Sequence, residues 1–330
     1  MPINKAIAAI KKHDRFFITS HINPEPDALG SELAAYELIK ELGKRASVIN
    51  SDPVPEHYQF LEGVDIIKQD PRNDEEFDAA IVLDCPNLAR TGRVADMVKK
   101  INTIINIDHH ISNEQFGAVN YVMPNASSTG EVMYSIYKKM EVPISKKVAL
   151  YIYIAILTDT GSFNYSNTSG ITHEIVSELL GYGIHPHVIS NYVYENKRFS
   201  DIRLLGKVLS RMKYIEKDKI SYMICTKDMI EKCGSSIFAT ENFINFARSI
   251  KGVSIAIFIR EEPNKKDHYK ISLRSKGEAN VDKIAQHFGG GGHKHAAGCN
   301  IVGPLRQVKK LILRRTRREI RSAYNSSQAG

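Results

Sequence analysis

The sequence has no run of about 18 uninterrupted apolar residues, the length a membrane-spanning helix needs, so no transmembrane helix is expected. Its first residues, MPINKAIAAIKKHDRFF, are interrupted by charge too early for a secretory leader. The four cysteines (Cys85, Cys225, Cys233 and Cys299) form no CxxC pair and no framework spacing. That excludes a zinc ribbon and a disulfide scaffold, and it points to a reduced, cytoplasmic setting. Internal repeats and low-complexity blocks are also missing. What remains has ordinary globular proportions: 330 residues, 42% hydrophobic and 25% charged, enough for two domains with a core each.

The net charge of +8 is unevenly spread. From Leu305 to Tyr324 eight basic residues (Arg306, Lys309, Lys310, Arg314, Arg315, Arg317, Arg318 and Arg321) face one acid, Glu319, so this segment carries +7 and the rest of the chain about +1. Leu305, Val308, Ile312 and Ile320 recur at helical intervals and suit docking of one helix face, with the charges merely solvated. The other reading is an electrostatic attractor for phosphate-rich molecules.

The first half alternates strand-like and helix-like patterns. Short apolar runs at 16–20, 45–50, 79–83 and 103–107 are separated by a helical stretch at 28–42 and by polar segments; three more helical patterns follow at 129–140, 146–157 and 171–180. Near-continuous apolar strands of this kind suit a mainly parallel sheet with helices on both faces. Beyond Gly183 the chain turns polar, then runs into a helix at 202–213 and strands at 219–225, 254–260 and 268–273. The expected architecture is α/β. A parallel-sheet domain spans 1–185, a connector and linker helix 186–213, and a smaller mixed α/β domain 214–330, with a cleft between the two domains.

In open parallel sheets the chemistry gathers beyond the carboxyl ends of the strands. Titratable residues do so here at His21-Ile-Asn-Pro-Glu25-Pro-Asp27, at Asp84 in VLDCPN, and at Asp108-His109-His110; Asp159 ends another apolar segment, in AILTDTGSF. Singly, each has an ordinary explanation: Asp27 as a helix cap, Asp84 or Asp159 in a turn, His109 as a satisfied core histidine. Together they are costly to desolvate without a cation between them. Mixed oxygen and imidazole donors suit a divalent ion such as Mn²⁺, and a shared carboxylate suits a two-metal hydrolase.

These segments, in this order, resemble the motifs of the DHH phosphoesterase family. KISLRS and GGGGHKHAAG resemble the signature of its companion DHHA1 domain. The resemblance covers nearly the whole chain. It implies two Mn²⁺ ions (or Mg²⁺): His21, Glu25 and Asp84 on one, and Asp27, Asp84, His109 and Asp159 on the other, with Asp84 as bridge. His110 would contact the scissile phosphate, and Asp108 would support its histidine neighbours. Glu25 departs from the usual aspartate of the first motif by one methylene, which bears on metal affinity more than on reaction class. In the second domain, Arg274, Gly290, Gly291, Gly292 and His293 would hold a substrate phosphate. A helix N-terminus after the glycines would add its dipole.

Among such proteins, a chain of this length without further domains is most similar to those that hydrolyse very short single-stranded RNA and 3′-phosphoadenosine-5′-phosphate (pAp). A homo-oligomer is compatible with the resemblance. Two rivals stand beside that expectation. One is a phosphodiesterase of cyclic or linear dinucleotides. The other is a catalytically weakened RNA-binding protein, suggested by Glu25 and the basic tail.

Overall fold

The computed structural model describes residues 1–70, 76–240 and 242–328. The chain divides into two units, Met1–Asn196 and Lys197–Gly330.

In chain order the first unit contains α1 (Pro2–Lys12), β1 (Arg15–Thr19), α2 (Pro26–Glu41), β2 (Arg45–Val48), β3 (Ala79–Leu83), α3 (Ala95–Val98), β4 (Thr103–Asp108), β5 (Val119–Val122), α4 (Thr129–Met140), α5 (Lys146–Asp159), α6 (Gly170–Leu180) and α7 (Pro186–Tyr194). Its five strands are all parallel, in the order β2-β1-β3-β4-β5. Strand side chains alternate between two cores. Phe16, Ile18, Ile81, Leu83, Ile105 and Ile107 enter the large core under α1, α2, α4 and α5. Phe17, Ala80 and Val82 enter a thinner one with Val94 and Val98. Burial on both faces is why these strands are apolar without interruption. The edge strand β5, Val-Asn-Tyr-Val, is mostly half-buried and lacks that signature, so the sequence pattern missed it. The polar stretch beyond Gly183 likewise contains α7, whose Ile189 is buried in the large core.

Three helices converge where two glycines permit it. A Cβ on Gly30 of α2 would lie 2.4 Å from the Tyr151 carbonyl oxygen of α5, and one on Gly130 of α4 would lie 2.4 Å from Cβ of Ala155. The contacts bring the N-terminal parts of α2 and α4 against the middle of α5. Side-chain caps fix where the latter two helices start: Ser128 accepts from the Glu131 N–H, and Ser145 from the Val148 N–H.

The second unit contains α8 (Phe199–Leu209), β6 (Lys213–Ile215), β7 (Ile220–Cys225), α9 (Lys227–Cys233), α10 (Phe243–Ser249), β8 (Ile255–Glu261), β9 (His268–Ser275), α11 (Val281–Gln286), β10 (Gly291–His293), β11 (Ala296–Val302) and α12 (Leu305–Gln328). Its sheet runs β10-β11-β9-β8-β7-β6, antiparallel except for the β7–β8 pair. One face packs Ile257, Ile271 and Leu273 against α11 and α12; the other packs Met223, Ala256 and Phe258 against α8, α9 and α10. Among the described residues no helix is long and apolar enough to cross a membrane. All four cysteines are free and buried.

Candidate metal centre

The parallel sheet delivers its polar residues to one rim. Asp84 follows β3, Asp108 ends β4 with His109 and His110 just beyond, His21 lies two residues past β1, Asp27 is in the first turn of α2, and Asp159 ends α5. Donor atoms of Asp27, His109 and Asp159 lie within 4.8 Å of one another, as do those of Asp84, Asp108, His109 and His110.

The orientation of His109 tests whether a cation fits. Its Nδ1 faces the Ala126 carbonyl oxygen at 3.3 Å, which places the ring proton there. The lone pair on Nε2 therefore points at Asp84 Oδ1 (3.6 Å), Asp159 Oδ2 (3.7 Å) and Asp27 Oδ2 (3.8 Å). Four acceptors face one another at spacings too long for hydrogen bonds. Ligands about 2.1 Å from a shared ion lie roughly 3–4 Å apart, so the set matches one divalent cation. His21 differs: its Nδ1 lies 2.7 Å from the Ile22 carbonyl oxygen, while Nε2 is 3.3 Å from Asp84 Oδ2, within hydrogen-bond reach. Burial opposes charge on this imidazole, but the bond to Asp84 raises it above its ordinary value. Asp84 thus offers one oxygen toward each imidazole. Its left-handed backbone (φ 54°), uncommon for a non-glycine residue, is part of how it is aimed.

Electrostatics agree. Burial, then the charges of Asp84 and Asp159, push the Asp27 carboxyl well above the usual carboxylate range. Burial, with Asp84 adding to it, raises Asp159 to about 6. For Asp84 burial acts the same way, but His21, His110 and His109 outweigh it and hold the group far below its ordinary value. Such a cluster keeps all its carboxylates charged only with added positive charge between them.

Supporting groups come from elsewhere in the chain. The Thr129 and Gly130 N–H groups, at the start of α4, donate to Asp27 Oδ2 (2.8 Å) and Oδ1 (2.9 Å), so the carboxylate sits at a helix N-terminus. The Thr129 hydroxyl donates to Asp84 Oδ1 at 3.0 Å. Asp108 is fully buried; its Oδ1 accepts from His110 Nδ1 (2.7 Å) and the His109 N–H (2.8 Å), and Oδ2 accepts from Asn113 Nδ2 (2.6 Å). Burial opposes charge on His110, yet Asp108 and Asp84 push its imidazole up to about 9. Asn167 donates to the Ser127 carbonyl oxygen (2.8 Å) and to the Asp159 backbone oxygen (3.1 Å). Reading strand ends missed Thr129, Gly130, Asn113 and Asn167. Ser128-Thr129-Gly130-Glu131, a helix-start signature, was the available signal for the first two.

Glu25 stands apart. It is the exposed N-cap residue of α2, makes no capping bond, and lies outside both converging sets.

In the second unit the glycine run forms an ordered hairpin. Gly291 pairs with Gly298, Gly292 with Ala297 and His293 with Ala296. A Cβ on Gly290 would lie 2.1 Å from the Gly298 carbonyl oxygen, and Gly292 has a φ of 152°, so packing alone already requires glycine at both. The expected helix N-terminus after the glycines is corrected. The hairpin leads straight into β11, and the next helix, α12, begins at Leu305. Arg274, on β9, is half-buried; Nη1 donates to the Leu273 carbonyl oxygen at 3.1 Å, and its buried Nε has no partner among the described residues. Ser275 Oγ lies 3.0 Å from His295 Nδ1.

A parallel α/β sheet that carries a buried aspartate–histidine cluster able to hold a metal ion on its carboxyl rim, followed by a mixed-sheet unit, defines the class of protein. Residues 15–156 match the DHH family N-terminal domain, and residues 236–319 match the DHHA1 domain. The chain belongs to this DHH–DHHA1 family. It is 30% identical over 310 residues to the bifunctional oligoribonuclease and PAP phosphatase NrnA of Thermus thermophilus, covering 93% of this chain and 90% of that protein. It is 27% identical to the NrnA of Bacillus subtilis, covering 89% and 92%. The crystal structure of an exopolyphosphatase-related protein from Bacteroides fragilis matches with a TM-score of 0.90 at 30% identity, over 98% of this chain and 97% of that one.

Proposed function

We propose that the chain is a metal-dependent phosphoesterase that hydrolyses short single-stranded RNA to mononucleotides and pAp to AMP, in the cytoplasm. The observation that carries the reading is the His109 imidazole, its lone pair aimed at three carboxylates and its proton committed to a backbone carbonyl. The names of the Thermus and Bacillus relatives support the two substrates.

Asp27, Asp84, His109 and Asp159 would hold one divalent ion, and Asp84 with His21 the other, which the Glu25 carboxylate would join by turning in from its exposed position at the start of α2; Mn²⁺ suits this donor set. When bound, two such ions supply a water activated near neutral pH and screen charge on the phosphoryl oxygens. The chain's own residues do the rest. The N–H groups of α4 fix the rotamer of Asp27, so the donor set is organised before any ligand arrives. Asp108 fixes the His110 ring and favours its protonated form, so His110 can donate to a phosphoryl oxygen or the leaving nucleoside oxygen. In the second unit, Arg274, the Gly290–Gly292 hairpin and His293 are assigned to a substrate phosphate, the arginine because its planar fork suits a phosphate's paired oxygens.

The test is phosphate and mononucleotide release from pAp and from a 5′-labelled RNA trinucleotide, with Mn²⁺, Mg²⁺ or EDTA. Turnover of both with a divalent ion and of neither in EDTA is expected. Tight RNA binding with no turnover under any condition would overturn the reading in favour of a binding protein.

A further inference from the structure

The eight basic side chains of α12 are not equivalent. Arg317 pairs with Asp218 at 2.6 Å, and Arg315 reaches the Lys283 carbonyl oxygen at 3.2 Å and Glu319 at 4.0 Å. Arg306, Lys310, Arg314, Arg318 and Arg321 are exposed, and among the described residues none of these side chains has an ion-pair or hydrogen-bond partner. At 3.6 residues per turn they fill one sector of about 120° and run for about 22 Å along the axis. The remaining faces hold buried Val308, Ile312, Leu313 and Thr316, so the helix is docked and the row is fixed in space.

Such a row works against the helix that carries it. Each step from Arg306 to Lys310 to Arg314 to Arg318 sets like charges one turn apart, which destabilises an isolated helix. Docking of the apolar face offsets this, and no acid in the described part of the unit neutralises it. We propose that the row is a docking surface for the phosphodiester backbone of single-stranded RNA longer than the oligonucleotides hydrolysed. The choice of RNA as the polyanion rests on the phosphoesterase reading above. The row is about one side chain wide, with exposed Leu311 along its edge, and so follows one line of phosphates rather than the two of a duplex. Charge on five cationic side chains reads phosphates rather than base edges, so binding is largely indifferent to sequence and steep in salt.

The experiment uses the full chain in EDTA, so that RNA stays intact, and follows the anisotropy of a labelled RNA of about 20 nucleotides between about 50 and 200 mM KCl. Five phosphate contacts at about 0.7 each give a log–log slope near −3.5, a loss of about a hundredfold across that range. Joint replacement of Arg306, Lys310, Arg314, Arg318 and Arg321 by glutamine should remove that much slope and weaken binding at low salt by a similar factor. Turnover of pAp, which has no strand to lie along the row, should stay at the wild-type rate and so reports folding. A second variant with lysine at the four arginine positions keeps the charge and should keep the binding. Unchanged affinity and slope in the glutamine variant overturn the proposal. So does loss of binding in the lysine variant, or a wild-type row that binds phosphatidylserine vesicles but not RNA. Failure of the phosphoesterase reading would appear separately, as absent wild-type turnover of pAp and trinucleotide.

Discussion

Alanine at position 130 would place a methyl group 2.4 Å from Cβ of Ala155 and 3.2 Å from the Ile152 carbonyl oxygen. Carbon atoms in contact settle at about 3.5–4.0 Å, so the first turn of α4 would have to shift by about 1 Å against α5. The Thr129 and Gly130 N–H groups in that turn hold Asp27 at 2.8 and 2.9 Å, and a displacement of this size spoils both bonds. Overpacking of this kind costs about 1–3 kcal/mol, and a hydrogen bond to a charged group is worth about 1.5–3 kcal/mol. Better helix propensity returns about 1 kcal/mol. With the two weakened bonds counted as one such loss, Gly130→Ala should destabilise the protein by about 1.5–5 kcal/mol, read from urea unfolding in EDTA. Loss of an orienting partner typically weakens metal affinity by about 10–100-fold, which calorimetric titration with Mn²⁺ would report. Adding Ala155→Gly removes the opposing methyl group and should restore most of the metal affinity. If Gly130→Ala keeps wild-type stability within about 0.5 kcal/mol and binds Mn²⁺ equally well, the argument that α4 organises Asp27 is wrong.

Asp84→Asn keeps a residue that tolerates the left-handed backbone while removing the bridging charge; activity on pAp should fall by more than the ~100-fold typical of an orienting partner. Substantial residual turnover would refute the assignment of Asp84 to both ions. Burial pushes the Glu32 carboxyl up to about 7 from an ordinary 4.5, so the native state binds more protons in that window and loses up to about 3 kcal/mol as pH rises through it. Glu32→Gln should accordingly gain that much relative to wild type between pH 4.5 and 7.5 in urea unfolding with EDTA; parallel pH profiles would exclude it. Arg274→Ala should raise KM for pAp with little change in kcat, whereas a fall in kcat at constant KM would place the guanidinium in the transition state.

Much of this protein was legible in its residues because two patterns are local. Strands buried on both faces must be apolar throughout, so 79–83 emerged with the observed limits, and β1, β2 and β4 within two residues. Polar residues placed just after such strands had to gather on one rim, which is how His21, Asp84, Asp108 and His109 stood out. Edge strand β5 and helix α7 escaped because half-buried elements carry a weak pattern. The glycine run shows a different limit. Composition leaves a tight turn, a linker and an anion loop open, and only the pairing of Gly291 with Gly298 makes it a hairpin.

The sequence by itself determined which side chains are available and on which rim the parallel sheet presents them, since strand direction and side-chain alternation follow from local chemistry. Only the tertiary structure decided how they are aimed. The carbonyl of Ala126 sets which nitrogen of His109 carries the proton, and the start of α4, 102 residues along the chain, supplies the N–H groups that hold Asp27. These are contacts between elements remote in sequence, fixed by close packing of α2, α4 and α5 around Ala155, and no local pattern encodes them.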